Sequence, residues 1–183
     1  MWNAVKDMET AKEIISNPTY KKTGKFEPDC FTIDQVEVAG KVVVDFGCGV
    51  GRNAKYILTK NPRLLVCYDF ANMIKLAKEF IGDSNIMYIT YPIEHLAGIG
   101  KCDIVLADIV LQHINERELR QEVLPTLNKL LQPTDGKLLI NSRGYTDENR
   151  NIWKIINDFF APITPIDITQ DNDIHQNGVF IPR

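Results

Sequence analysis

Three glycines, Gly47, Gly49 and Gly51, alternate with other residues directly after the segment Val42-Val43-Val44-Asp45-Phe46. Glycine after a buried strand lets the chain turn tightly and brings backbone amides against a ligand that a Cβ atom would push away. Such a loop is typical of proteins that bind nucleotides or nucleotide-like ligands. Because several folds share it, the spacing of the neighbouring residues has to indicate which ligand is bound.

The spacing argues against two common ligands. The dinucleotide fingerprint G-x-G-x-x-G requires a third glycine where this chain has Arg52, and no G-K-[ST] sequence of a phosphate-binding loop follows. Asp45, two residues before the first glycine, would repel a pyrophosphate. The same carboxylate suits a ligand that carries an ammonium and a sulfonium group.

A second acidic residue, Asp69, follows the next apolar run, Leu64 to Tyr68. An acidic residue at the end of the second strand is placed to accept hydrogen bonds from both hydroxyls of a ribose. The alternative is that Asp69 caps the following helix, a role for which Asn72 competes. The glycine loop upstream favours the ribose role.

Three further residues are candidates for work on a substrate. Asp108 follows the fourth predicted strand, where it either contacts a cofactor or acceptor or caps a loop. His113 is a candidate general base, although its sequence context favours a partly buried, hydrogen-bonded structural histidine. Arg143, with Tyr145 beside it, would either orient an anionic or aromatic acceptor or lie on the surface.

Short apolar runs alternate with helical periodicity from residue 40 to about residue 160, which predicts βαβ units and a parallel sheet. The predicted strands are Lys41 to Phe46, Leu64 to Tyr68, Ile86 to Ile89, Asp103 to Ala107 and Lys137 to Ile140. The predicted helices are Arg52 to Thr59, Asn72 to Phe80 and Glu116 to Leu131, with another around Val5 to Ser16. The acidic candidates Asp45, Asp69 and Asp108 therefore lie at or just after the ends of strands, at one edge of the sheet.

The pattern changes after the fifth strand. Ile152, Ile155, Ile156, Phe159 and Phe160 follow the spacing of an amphipathic helix. Two short strands, Ile163 to Ile168 and Gly178 to Ile181, are predicted to pair antiparallel, because the stretch between them is too short for a crossover helix. Pro165 cannot donate a backbone hydrogen bond and places its strand at the sheet edge.

Composition indicates one soluble domain. The 183 residues are 44% hydrophobic and 25% charged, and no apolar run is long enough to span a membrane. Four dispersed cysteines and the absence of a signal sequence predict reduced thiols in a cytoplasmic protein. The net charge of −3 disfavours nucleic acid as a partner, although Lys21, Lys22 and Lys25 form one small basic cluster.

Four segments, in register from about residue 38 to residue 141, resemble the class I S-adenosylmethionine-dependent methyltransferase superfamily. They are Asp45-x-Gly47-x-Gly49-x-Gly51, Asp69-Phe70-Ala71-Asn72-Met73, Leu111-Gln112-His113-Ile114, and Leu131-Gln132-Pro133-x-Asp135-Gly136 with the strand after it. The resemblance implies a Rossmann-like three-layer αβα sandwich, with a seven-stranded, mostly parallel sheet that ends in an antiparallel pair. Residues 37–141 would form the cofactor-binding core and residues 142–183 the C-terminal helix and strand pair. Residues 1–36 would hold the N-terminal helix and either a lid over the cofactor or an ordinary exposed loop.

The resemblance also implies residue roles in binding S-adenosylmethionine. Asp45, Gly47 and Gly49 would lie against the methionine part, Asp69 would bind the ribose, and Phe70 and Met73 would pack on the adenine. The remaining expected cofactor contacts are Cys48, Gly51, Asn53, Ile93 and Asp108. Where the family often has an acidic residue for the adenine amino group, this chain has Pro92, so backbone groups around Ile93 are the candidates there; Glu94 is out of register.

The expected function is therefore methyl transfer from S-adenosylmethionine, leaving S-adenosylhomocysteine, without a metal ion. The stretch after the fourth strand is not the Asn/Asp-Pro-Pro-aromatic turn of enzymes that methylate nucleobase amines, and no cysteine has the setting of a cytosine-C5 nucleophile. A small molecule or a protein side chain is thus the favoured acceptor. The alternatives are a non-catalytic cofactor-binding module and another transferase of the same fold, such as an aminopropyl transferase; an oxidoreductase is disfavoured by Arg52.

Overall fold

A computed structural model of the protein describes residues 7–10, 31–82, 85–142, 151–163 and 176–183. These residues contain a seven-stranded sheet with helices on both faces. The strands are β1 (Val42–Phe46), β2 (Leu64–Asp69), β3 (Ile86–Thr90), β4 (Ile104–Asp108), β5 (Lys137–Ser142), β6 (Phe160–Pro162) and β7 (Gln176–Pro182). Among the described residues, no helix is long and apolar enough to cross a membrane.

The strands lie in the order β3-β2-β1-β4-β5-β7-β6. The first five strands run parallel to one another, and β7 pairs antiparallel with both β5 and β6. The order reverses direction between β1 and β4, so the loops that leave these two strands diverge to opposite sides. A crevice forms at the carboxyl ends of the strands at such a point, which is where open α/β sheets bind ligands.

The central strands are buried on both faces, because helices cover the sheet from both sides. Alternate residues of β1 point in opposite directions: Val42, Val44 and Phe46 belong to one apolar cluster, and Val43 belongs to the other. The glycine loop and Asp45 are thereby placed at the end of a rigid, fully buried strand. The predicted three-layer sandwich is confirmed.

Four helices pack on the sheet within the described residues. They are α1 (Arg52–Leu58), α2 (Ala71–Ile81), α3 (residues 116–130) and α4 (Ile152–Asn157). Shorter 3₁₀ helices are found at Phe31–Gln35, Ile93–Ile99 and Leu111–His113. Buried residues of α1 and α2 pack on one face of the sheet, and those of α3 and α4 pack on the other.

Helix α3 consists of Glu116–Glu118, a π turn at Leu119–Val123, and Leu124–Leu130. It begins with an N-cap: Asn115 Oδ1 accepts a hydrogen bond from the backbone N–H of Glu118 at 2.9 Å. The π turn lies just before Pro125, which has no N–H to donate and would crowd a regular α-helical turn. The turn matters for the site, because residues at both of its ends line the cavity described below.

The C-terminal prediction is partly wrong. Helix α4 ends at Asn157, and Phe160 belongs to β6 instead of the helix. The apolar spacing of Phe160 fits both structures, and pairing with β7 decides between them by joining Phe160 to Pro182. The strand therefore ends at Pro162, before the predicted strand begins at Ile163, and Ile163 itself lies in a bend. The predicted antiparallel pair at the end of the sheet is confirmed, and β6 is its edge strand.

Several predictions lie outside the described residues. These are the lid with its lysines, Pro165, Arg143 and Tyr145, and most of the helix predicted around Val5 to Ser16. Of that helix, only residues 7–10 are described, and residues 8–10 are helical.

Candidate functional site

A cavity of about 390 Å³ opens at the carboxyl ends of β1, β2 and β4. This volume is in the range of pockets that enclose a small molecule. The glycine loop forms one wall, and residues after β3, after β4 and at the start of α3 form the others. Of the expected cofactor residues, the cavity is lined by Gly47, Cys48, Gly49, Asn53, Asp69, Phe70, Met73, Ile93 and Asp108. Asp45 and Gly51 support the loop without lining the cavity.

The glycine loop has the left-handed backbone that its sequence predicts. Gly47, Gly49 and Gly51 have φ angles of 76°, 56° and 87°. A Cβ atom at Gly51 would come within 2.5 Å of Ile81, so that glycine is needed for packing of α1 against α2. At Gly49 a Cβ atom would meet only Met73 Cε, at 3.9 Å, and would otherwise occupy the cavity. Gly49 is thus the position at which a ligand can approach the backbone most closely.

Gly47→Ala is expected to destabilise the fold more than a simple loss of glycine freedom would. The new Cβ atom would lie 2.5 Å from Val110 Cγ2, so the loops after β1 and β4 would be forced apart. Gly40 has a similar φ of 71° but has no atom within 4 Å of such a Cβ, so Gly40→Ala carries the backbone strain alone. We expect the free energy of unfolding of Gly47→Ala to fall by about 1–3 kcal/mol more than that of Gly40→Ala. Urea unfolding of both variants measures this difference, and equal losses would contradict the packing role.

Asp69 links the ends of β1 and β2. Its Oδ2 accepts a hydrogen bond from the backbone N–H of Gly49, and its Oδ1 accepts one from Phe70, both at 2.7 Å. Burial raises the pKa of Asp69, and these two donors oppose that rise. The capping alternative is not supported, because Phe70 is the N-cap residue of α2 and receives no side-chain cap. Asp69 instead holds the glycine loop closed while it lines the cavity.

Asp45 is 1% exposed at the end of β1. Burial, followed by the nearby charges of Asp108 and Asp69, raises its pKa to about 8. The backbone N–H of Ala54 donates to this carboxyl. Its Oδ2 has no hydrogen-bond partner among the described residues, which is unusual for a buried polar atom. Asp45 is thus a buried acid with one open acceptor position beneath the glycine loop.

Two asparagine side chains hold Asp108. Asn53 Nδ2 donates to Oδ2 at 2.7 Å, and Asn141 Nδ2 donates to Oδ1 at 2.8 Å. The carbonyl oxygens of both asparagines lack partners among the described residues. The next residue, Ile109, has a φ of 52°, which strains a β-branched side chain. Strain of this kind is typical of functional sites, and here it turns the chain out of β4 along the cavity wall.

The other end of the cavity is aromatic and apolar. The rings of Phe70 and Tyr91 lie 5.5 Å apart, and the two residues remain 40% and 48% exposed at the mouth. Met73 and Ile93 are buried and lie deeper in the lining. This end has the flat, apolar surfaces that a purine base requires.

Cys48 lies in the lining, but its thiol is inert. Contact with Cys67, together with burial, raises the pKa of the Cys48 thiol well above its usual value. The thiol therefore stays protonated at neutral pH, and nucleophilic use of it is disfavoured. Cys48 contributes shape to the cavity wall.

His113 is exposed and lines the cavity, which differs from the partly buried structural histidine considered above. Its neighbour Gln112 is fully buried and accepts a hydrogen bond from Ser142 Oγ at 3.0 Å. The structural role thus falls to Gln112, which anchors the 3₁₀ helix and presents His113 at the cavity. Arg143, which was also predicted to face the acceptor, lies outside the described residues.

Sequence reasoning missed several residues that line the cavity. Arg52, Tyr68, Tyr91 and Glu118 are among them. Arg52 follows the glycine loop directly, so its position in the sequence could have indicated that it lies in the site. Glu118 carried no such signal, because only the packing of α3 brings it to the edge of the sheet where β1 and β2 end.

A family model described as "Methyltransferase domain" matches residues 44–140. No curated protein matches the chain. The matched residues run from β1 to β5 and include both the glycine loop and Asp69.

Solved structures with the same fold share little sequence with this chain. The N-methyltransferase NodS of Bradyrhizobium japonicum WM9, solved with S-adenosyl-L-homocysteine, has a TM-score of 0.65 at 16% identity, over 82% of this chain and 81% of that one. The PH0226 protein of Pyrococcus horikoshii OT3 has a TM-score of 0.66 at 16% identity, over 98% and 93% of the two chains. The TehB-like SAM-dependent methyltransferase of Corynebacterium glutamicum has a TM-score of 0.63 at 17% identity, over 83% and 85%.

Proposed function

Because the chain belongs to the methyltransferase domain family and is an S-adenosylmethionine-dependent methyltransferase, we propose that it binds this cofactor in the cavity and methylates a small molecule or a protein side chain. The observation that carries the proposal is the position of Asp69. Its carboxyl holds the glycine loop through Gly49 and lines the cavity at the same time. The residues around it fit the three parts of the cofactor in turn.

Asp69 would bind the ribose. Each of its oxygens accepts one backbone hydrogen bond and keeps capacity for another. The two hydroxyls of a ribose are the donors that such a carboxylate lacks. Because the two backbone donors fix the carboxylate, little side-chain entropy remains to be lost on binding.

The methionine part would lie against the glycine loop. Asp45 Oδ2 is a buried acceptor without a donor among the described residues, and a ligand ammonium supplies one directly or through a water molecule. The open space at Gly49 allows this part of the ligand to approach the backbone. The adenine would then extend toward the apolar end, where Phe70, Met73 and Ile93 line the cavity.

Bound S-adenosylmethionine supplies an electrophilic methyl group on a positively charged sulfur. The protein has to orient the acceptor in line with that group and to exclude water, which supplies much of the rate acceleration. Asp108, which is fixed by Asn53 and Asn141, would position a donor group of the acceptor. His113 lies exposed in the lining and is our candidate for taking a proton from the acceptor.

The charges of the cavity support the choice of acceptor. Among the described residues, the ionisable side chains of its lining include the carboxyls of Asp69, Asp108 and Glu118, while Arg52 is the cation and His113 contributes an imidazole. A phosphate backbone would be repelled by this balance and by the net charge of −3. We also place the enzyme in the cytoplasm, where the free, buried thiols of Cys48, Cys67 and Cys102 would stay reduced.

We expect S-adenosylhomocysteine to bind with a dissociation constant on the order of micromolar, about −8 kcal/mol, and NAD to give no heat in the same calorimeter. Radiolabelled S-adenosylmethionine, incubated separately with a metabolite extract, cell protein, total RNA and total DNA, should transfer label to one of the first two. Loss of S-adenosylhomocysteine binding would refute the cofactor site. Binding without any transfer would indicate a non-catalytic module, and label in RNA or DNA would refute the proposed acceptor class.

A further inference from the structure

A row of polar side chains connects the end of β5 with the cavity wall. Ser142, the last residue of β5, is fully buried, and its Oγ donates to Oε1 of Gln112 at 3.0 Å. Gln112 is fully buried as well, and its amide nitrogen Nε2 lies 3.4 Å from Nε2 of the His113 ring. His113 itself is exposed and lines the cavity. The imidazole is therefore in contact with a buried amide whose other end is anchored in the sheet.

The backbone that carries His113 is well supported. Leu111–His113 form a 3₁₀ helix, and the N–H of His113 donates to the carbonyl oxygen of Val110 at 3.0 Å. Leu111 is fully buried in the apolar cluster on the α3 face of the sheet. Because Leu111 and Gln112 are both held in the interior, His113 presents its ring at the cavity from a fixed segment of chain.

The hydrogen-bonding roles of these atoms determine where the ring of His113 carries its proton. A carboxamide nitrogen only donates hydrogen bonds, and Oε1 of Gln112 is directed toward Ser142. The ring nitrogen that faces the amide nitrogen must therefore accept, which in a neutral imidazole places the proton on the other nitrogen, Nδ1. In water, by contrast, a neutral imidazole carries its proton mainly on Nε2. The buried amide thus selects the tautomer that water disfavours.

We propose that Gln112 is a positioning residue, which keeps Nε2 of His113 unprotonated so that this nitrogen can accept a proton from the methyl acceptor. The proposal rests on the proposed function, in which His113 is the candidate base. A general base needs its lone pair in place before the acceptor arrives, because a ring nitrogen that already carries a proton only donates. Ser142 acts through Gln112, since its hydroxyl orients the amide.

The hydroxyl of Ser142 also allows the amide to follow the proton. When the acceptor is deprotonated, its bond to that hydrogen breaks, the electron pair stays on the acceptor, and a new N–H bond forms at Nε2 of His113. The ring is then an imidazolium, and Gln112 accepts from Nε2–H once its amide has turned over. A hydroxyl both donates and accepts, so Ser142 Oγ then accepts from the amide nitrogen. The imidazolium later gives its proton to water.

The protonation of each ring nitrogen is measured by proton–nitrogen correlation NMR of the ¹⁵N-labelled protein at about pH 8.5, above the range in which an ordinary imidazole titrates. A nitrogen without a proton resonates far downfield of a protonated one, and only Nε2 correlates strongly with both carbon-bound ring protons. His113→Gln identifies the His113 signals by their absence. We expect the wild type to show His113 with Nδ1 protonated and Nε2 unprotonated.

His95 supplies a reference in the same spectrum. Its Nδ1 lies 2.8 Å from the carbonyl oxygen of Thr90, which only accepts hydrogen bonds, so a neutral His95 also carries its proton on Nδ1. Gln112→Met keeps the length of the side chain but removes the amide. It should return His113 to the tautomer with the proton on Nε2 and leave His95 unchanged. Gln112→Glu should do the same, because an ionised carboxyl accepts from Nε2–H.

The rate of methyl transfer is the second readout. In the fraction that accepts label from S-adenosylmethionine, Gln112→Met should lower the initial rate by at least about tenfold, with unchanged affinity for S-adenosylhomocysteine. A wild-type His113 with its proton on Nε2 would overturn the proposal, and the wild-type spectrum decides this even where a Gln112 variant is unstable. A tautomer that Gln112→Met does not change, or an unchanged rate despite a changed tautomer, would overturn it as well. If no fraction accepts label while the wild-type tautomer is as expected, the proposed function fails instead.

Discussion

Replacement of Asp69 by alanine is expected to weaken the binding of S-adenosylhomocysteine by about 1.5–3 kcal/mol, roughly 10- to 150-fold, the scale of charge-assisted hydrogen bonds. The variant loses the acceptor for the ribose hydroxyls. It also loses the oxygen that holds the backbone N–H of Gly49 at 2.7 Å, so the glycine loop is no longer fixed in the shape that the ligand requires. Titration calorimetry of the variant and the wild type measures the difference.

Asp103→Ala is the matched control for this variant. Asp103 also accepts a backbone hydrogen bond across the sheet, from Val42 at 2.7 Å, but it lies at the amino ends of β1 and β4, opposite the cavity. We expect this variant to lose stability in urea unfolding and to keep its affinity. If Asp69→Ala lost stability but kept full affinity, Asp69 would be a structural link between β1 and β2 and not a ligand-binding residue.

Asp45→Asn is expected to remove a large pH dependence from the stability of the ligand-free protein. The folded state raises the pKa of Asp45 to about 8, and the unfolded chain titrates near the ordinary value of 3.8. Between these two values the folded state holds a proton that the unfolded state has released, so the free energy of unfolding falls as the pH rises. A shift of this size corresponds to several kcal/mol, fully expressed above pH 8.

Urea unfolding at about pH 5, 7 and 9 tests this expectation. The wild type should lose stability across this range, and Asp45→Asn, which stays neutral, should lose much less and become the more stable protein at the highest pH. Asp69, whose pKa is also raised, contributes in the same direction in both proteins. Parallel curves for the two proteins would show that Asp45 is ionised in the folded state. Saturating S-adenosylhomocysteine should flatten the wild-type curve, because the ligand ammonium favours the carboxylate.

Features that depend on neighbouring residues in the chain were predictable from the sequence. The positive φ angles of Gly47, Gly49 and Gly51 follow from glycine's lack of a Cβ atom and from a buried strand directly before them. Periodicity also predicted the first five strands to within two residues at each end. Because a parallel sheet brings its strand ends to one edge, it followed that Asp45, Asp69 and Asp108 would lie near one another.

Prediction failed where two structures fit the same local pattern. Phe160 has the spacing of an amphipathic helix and also suits a strand, and only its pairing with Pro182 in β7 selects the strand. Ile109 is a β-branched residue that on local grounds would avoid a φ of 52°. Its N–H instead donates to the backbone oxygen of Asn141 at 2.7 Å, a contact that depends on the pairing of β5 with β4.

The sequence by itself determined the order of strands and helices along the chain, because that order follows from the alternation of apolar residues. It also determined the glycine loop, which depends on local backbone freedom, and the two acidic residues that suit this cofactor, Asp45 and Asp69. Only the tertiary structure decided what surrounds them. Asn141 reaches Asp108 from a strand 33 residues away, and Glu118 reaches the cavity because α3 packs across the sheet. Contacts between residues so far apart in the chain arise from the packing of whole elements, which leaves no local signal in the residues that make them.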